Sequence, residues 1–117
     1  MYKRAYVKVD LDRIRKNMKA IRSVLPEGTK IIGVVKADGY GHGAVQTAKA
    51  IEEDAAGYAV ATAEEALELK VSGLQKPVLI LGYTFSEDYE ELIRNDVRLT
   101  VISMDMAKEI SRIAGNL

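Results

Sequence analysis

The sequence predicts an α/β fold built on a parallel sheet, and three observations carry that prediction. Short uninterrupted apolar runs recur, among them Ile31-Ile32-Gly33-Val34-Val35 and Val78-Leu79-Ile80-Leu81, of the kind that fill strands buried on both faces. Between such runs lie segments whose apolar residues return every three or four positions, as on one side of a helix. The two kinds alternate at short, regular intervals bounded by Gly, Pro, Asn and Asp, which is the pattern of βα units.

Taken in order, Ala5-Tyr6-Val7-Lys8-Val9 alternates and reads as a half-exposed strand. Asp10 is placed to cap a helix on which Leu11, Ile14, Met18, Ile21 and Leu25 share a face, and Pro26-Glu27-Gly28 stops it. A strand from Lys30 to Lys36 follows, then a glycine-punctuated loop, then a helix over 44–53 with Val45, Ala48 and Ile51 inward. Tyr58-Ala59-Val60-Ala61 is the next strand. Thr62 and Glu65 have capping-box spacing for a helix through Leu67 and Val71, which Gly73 ends.

The unit then repeats. Pro77 leads into the strand 78–81, Gly82 opens a loop, and Ser86 is placed to cap a helix bearing Tyr89, Leu92 and Ile93. Asn95-Asp96 turns the chain into a strand over 97–102. Ser103 can cap a last helix with Met106, Ile110 and Ile113. A doubly wound sheet could be complete at this length, whereas a closed barrel needs eight strands and ~250 residues. Pattern alone leaves both architectures open.

Composition excludes several function classes. The 117 residues are 48% hydrophobic and 29% charged, with no run long enough to cross a bilayer. Lys+Arg and Asp+Glu balance at 17 each, so there is no electrostatic footprint for nucleic acid or an anionic membrane. Zero cysteines exclude disulfides and thiolate chemistry, and a single histidine, His42, argues against a histidine-rich metal site. Met1 leads directly into charged and alternating residues without a signal peptide, so a cytoplasmic location is expected.

The chemistry concentrates in Val35-Lys36-Ala37-Asp38-Gly39-Tyr40-Gly41-His42-Gly43. A strand ending on a lysine delivers its amine to the carboxyl end of the sheet, where α/β folds place ligands. This contiguous stretch resembles the pyridoxal-phosphate attachment signature of bacterial alanine racemases. The resemblance implies a (β/α)8 barrel of which this chain covers residues 1–117, about the first four βα units, preceded by a strand and a helix. It further implies that the opening strand joins a distant β domain.

By the same resemblance, Lys36 holds pyridoxal 5'-phosphate as a Schiff base and acts as one of two bases on alanine. Burial suits a lysine to that role by lowering its pKa. Tyr40 would bind the cofactor phosphate, and Val34 and Leu81 match positions lining the cofactor pocket. The opposite-face base in the family is a tyrosine from the partner subunit's C-terminal domain, which implies a homodimer for the full-length protein and a chain that is inactive or nearly so by itself. Relatives of the same barrel type include serine racemases, basic-amino-acid decarboxylases and pyridoxal-phosphate homeostasis proteins. A non-catalytic half barrel held together by self-association is the reading from a different class.

The remaining residues have plainer readings. His42 is expected to be a satisfied loop histidine, and Asp38 a turn residue bonding local backbone. Gly39, Gly41 and Gly43 could expose amide N–H groups to an anion, although no P-loop Lys-Ser or Lys-Thr follows. Glu64, Glu65, Glu68, Glu87 and Asp88 read as helix starts and solvated faces. Met104 and Met106 read as core or capping residues, not ligands.

Overall fold

The computed structural model describes residues 4–117. Helix α1 (Leu11–Ser23) starts where Asp10 accepts hydrogen bonds from the Asp12 and Arg13 amides, a cap contributing about 1 kcal/mol. Strand β1 (Ile31–Val34) leads into a single turn, α2 (Lys36–Tyr40), and helix α3 (Ala44–Ala50). Strand β2 (Ala55–Val60) feeds helix α4 (Ala63–Val71), whose start is the expected capping box of Thr62 and Glu65. Strand β3 (Val78–Ile80), a 3-10 turn over Ser86–Asp88 and helix α5 (Tyr89–Arg94) come next. Strand β4 (Val97–Leu99) and helix α6 (Met104–Gly115) complete the described chain, with Ser103 capping α6 through the Met106 amide.

The strands are all parallel and stand in the order β1-β2-β3-β4, each beside its neighbour in sequence. The pleat explains where the core sits. Tyr58 lies opposite Val78, and Val78 opposite Val97; one pleat on, Val60 lies opposite Ile80. These residues and Val35 are buried together with Ala48, Ala66, Leu69 and Leu92 from the helices and Ile51 from the end of α3. The other face of the sheet leaves Ile32, Val34 and Leu81 exposed. Covered on one face only and wound in one direction, the sheet has the arrangement of barrel strands, which removes the doubly wound alternative. A slab of 47 × 47 × 23 Å with a radius of gyration of 16.5 Å fits this, since a closed globule of this length would have about 13 Å.

Glycine permits two close approaches within the sheet. A Cβ on Gly33 would run into Ile51 Cδ1, so its absence leaves room for the Ile51 side chain, just after α3, against β1. A Cβ on Gly57 would stand 2.8 Å from the Pro77 carbonyl oxygen, where β2 and β3 come together.

Several expectations are corrected. Residues 5–9 form no strand: Tyr6 and Val7 are exposed, because neither edge of the sheet pairs with this segment and its backbone finds no ladder. Strand β1 is buried on one face, not two, because helices pack on only one side. Ser86 does not cap: its turn begins in 3-10 geometry with no side-chain bond to the amides. Val71 is exposed, and α4 buries Ala66 and Leu69 instead. Met104 is exposed, while Met106 is in the core. Strand β4 stops at Leu99, where Thr100 turns its hydroxyl to donate to the Ile80 carbonyl at 2.7 Å.

Candidate functional site

The site grows from the end of β1. The Val35 amide donates the last bond toward β2, to Ala59 O at 2.9 Å, and Val35 faces the helices. Alternation therefore puts Val34 on the opposite, helix-free face, and Lys36 follows where the extended backbone ends, Val35 having ψ 24°. Val34 lies opposite Ala59, Ala59 opposite Leu79, and Leu79 opposite Arg98. Just past the carboxyl ends of the four strands come Lys36, Ala61, Leu81 and Thr100, with the Leu81 amide donating to Val60 O at 2.8 Å. Sequence reasoning passed over Ala59 and Ala61. The large-small alternation of Tyr58-Ala59-Val60-Ala61 was the signal available.

After Lys36 the backbone does something uncommon. Ala37, Asp38, Gly39 and Tyr40 all have positive φ, at 51, 53, 63 and 56°, so α2 is a left-handed turn. It carries Tyr40 back to about 6 Å from the lysine along the chain path, the rise of one turn, and leaves its side chain exposed. Left-handed backbone costs about 1–2 kcal/mol for each residue with a Cβ, least for Asp.

Two carboxylates offset much of that strain. Asp38 Oδ1 accepts the Ala44 amide at 2.9 Å, tying the turn to the start of α3. Glu65 Oε1 accepts the Ala37 amide at 2.9 Å, while its Oε2 accepts the Ala61 amide at 2.6 Å and the Thr62 amide at 3.3 Å. Hydrogen bonds to charged groups contribute roughly 1.5–3 kcal/mol, toward the low end where water competes. The sequence identifies Glu65 as a helix cap, and its long-range bond to Ala37, 28 residues away, has no sequence signal.

The glycine loop is not an anion cradle. Gly39 donates to Val35 O, Gly41 to Ala37 O and Asp38 O, His42 to Gly39 O and Gly43 to Asp38 O. These amides are spent inside the turn, which corrects the reading of Gly39, Gly41 and Gly43. His42 Nδ1 lies 3.1 Å from Gly39 O and must donate there, so the ring is a satisfied loop histidine as expected.

Behind this face, Tyr58 is fully buried and donates its hydroxyl to Ala48 O at 3.0 Å, joining β2 to α3. Burial, with a smaller contribution from Glu52, pushes its phenol up to about 12. Toward the amino ends of the strands, a cleft of about 360 Å³ runs between Lys30, Ile32, Gly57, Leu79 and Arg98.

Comparison with known proteins gives this arrangement relatives. The family "Alanine racemase, N-terminal domain" matches residues 9–117. Alanine racemase 2 of Caldanaerobacter subterraneus is 47% identical over 109 residues, covering 92% of this chain and 28% of that protein. Among solved structures, the alanine racemase of Clostridium difficile 630 is 44% identical with a TM-score of 0.89, covering 92% of this chain and 28% of its own. The Bacillus anthracis racemase is 36% identical with a TM-score of 0.90, covering 100% and 31%. This chain thus spans less than a third of the length of these relatives, and its four-stranded sheet corresponds to the N-terminal part of their barrel. The chain belongs to the alanine racemase N-terminal domain family.

Proposed function

We propose that this chain is the cofactor-attachment segment of a pyridoxal-phosphate-dependent alanine racemase, with Lys36 as the attachment residue. In this reading residues 1–117 are the N-terminal portion of the barrel domain. The placement of Lys36 carries the reading: it follows the carboxyl end of β1, where α/β folds place ligands, two residues beyond Val34, which is exposed on the helix-free face. Two solved relatives support it through their ligands, a C. difficile alanine racemase in complex with cycloserine and the B. anthracis enzyme with bound L-Ala-P.

The residues present fit pyridoxal 5'-phosphate. A primary amine, two exposed apolar side chains and a phenol one turn away match an aldehyde, a flat ring and a phosphate. When bound, the cofactor supplies an electron sink for the α-carbon. Lys36 holds it and, once released, takes or returns a proton at Nζ on one face of alanine's α-carbon. Val34 and Leu81 orient the ring and exclude water. Tyr40 donates its hydroxyl to the phosphate. Inversion requires a second base on the other face, in this reading a tyrosine of a partner subunit in a cytoplasmic homodimer that supplies D-alanine. This chain by itself then carries one base of two and does not racemise alanine appreciably.

The test is incubation with pyridoxal phosphate, borohydride reduction and peptide mass spectrometry. Label concentrated at Lys36, and lost in Lys36→Ala, is the expected result. Label spread over surface lysines without preference for Lys36 overturns the attachment reading, and racemisation by this chain above the rate of free cofactor overturns the division of bases.

A further inference from the structure

Glu65 stands apart from the other carboxylates of the chain because both of its oxygens are committed to backbone near the lysine. Oε2 is anchored on the Ala61 and Thr62 amides at the end of β2 and the start of α4. Oε1 reaches across to the Ala37 amide, the N–H of the peptide bond that immediately follows Lys36. That peptide bond opens the left-handed turn, since Ala37 is the first residue of the turn with positive φ. Its orientation is set jointly by ψ of Lys36 and φ of Ala37, so a fixed partner on the Ala37 N–H fixes the direction in which Lys36 leaves the strand.

Glu65 itself cannot drift. Its own amide donates to Thr62 Oγ1 at 3.2 Å, so the capping box of α4 holds both ends of the residue. The strand ends of β1 and β2 are thereby joined by a side chain at the point where the ladder between them stops.

We propose that Glu65 is a positioning residue for Lys36, holding the lysine-bearing turn in register through the Ala37 amide. The proposal rests on the reading of Lys36 as the attachment residue and deepens it. Glu65 touches neither cofactor nor substrate; it acts through the backbone of residue 37.

Glu65→Gln separates this role from helix capping. Glutamine also completes a capping box, with its carbonyl oxygen on the Ala61 and Thr62 amides. Its NH2 group then faces the Ala37 N–H, donor against donor, and only that bond is lost. Thr62→Ala is the converse control: it removes the hydroxyl that caps α4 and leaves the Glu65 carboxylate in place.

The experiment uses the full 117-residue chain and two readouts, amide hydrogen exchange at Ala37 by NMR and borohydride-trapped pyridoxal phosphate at Lys36 by peptide mass spectrometry. In Glu65→Gln, exchange at Ala37 is expected to rise at least tenfold beyond any change in the core amides, and the share of label at Lys36 to fall severalfold. Thr62→Ala should lower global protection without a selective change at either position. Wild-type label at Lys36 that is undiminished in Glu65→Gln overturns the positioning role alone, as does an equal loss in both variants. Absence of preferential label at Lys36 in the wild type overturns the attachment reading, and this proposal with it.

Discussion

Tyr58 Oη and the carbonyl oxygen of Ala48 stand 3.0 Å apart in the fully buried layer between β2 and α3. Burial of that phenol makes stability depend on alkaline pH. Burial raises the folded phenol to about 12, above the value near 10 of an unfolded chain. A raised pKa contributes stability that is complete below pH 10 and lost progressively as pH rises from 10 to 12, about 3 kcal/mol in all. Tyr58→Phe should flatten that slope while costing about 1 kcal/mol at neutral pH. Urea midpoints measured at intervals from neutral pH to the top of that window check this, and a slope unchanged in the variant refutes it.

Asp38 serves the left-handed turn twice, tolerating positive φ and accepting the Ala44 amide. Asp38→Ala should therefore destabilise by about 2–3 kcal/mol, and Asp38→Asn, which keeps both properties, by less than about 1 kcal/mol. Chemical denaturation of the two variants side by side gives the answer. Equal losses would mean that the bond to Ala44 contributes nothing.

At Gly57 the obstacle is backbone, not a side chain that can swing away. Gly57→Ala places a methyl against Pro77 O and must push β2 and β3 apart, at a cost of about 1–3 kcal/mol. Ordinary strand propensity argues the other way, since alanine loses less entropy than glycine on folding. A variant with a raised melting temperature would show that the β2–β3 contact yields easily.

The helix-free face predicts association. Ile32, Val34 and Leu81 are exposed on it, and β1 and β4 each present an unpaired edge among the described residues. Light scattering should find dimers or larger species at micromolar concentration. Ile32→Lys, on that face and four residues before Lys36, should shift them toward monomer. A wild-type chain that stays monomeric would remove self-association as a reading of this half barrel.

Much of this architecture is legible in the chain. Asp10, Thr62 with Glu65, and Ser103 announce helix starts because a cap is a local event within three residues. The lysine at the end of β1 is legible because strand and motif coincide. What escapes is whatever depends on partners distant in sequence. Residues 5–9 have a strand's alternation, but nothing among the described residues pairs with them. The apolar run at 31–35 shows that a strand is there and not how many of its faces are covered. The left-handed path of Ala37 to Tyr40 is hidden because three of its four residues are not glycine, and the reach of Glu65 to Ala37 is a fact of tertiary geometry.

The unbroken order of the strands has a consequence for biosynthesis. Every new strand docks on the one made just before it, so within this sheet no strand has to wait for a partner distant in sequence before its ladder closes. Loops formed this way are short, which favours rapid folding, and the sheet can be laid down in step with translation from the ribosome. The growing end is then always a bare strand edge. Each such edge is the template for the next strand, and a stalled nascent chain would present that sticky margin to its neighbours.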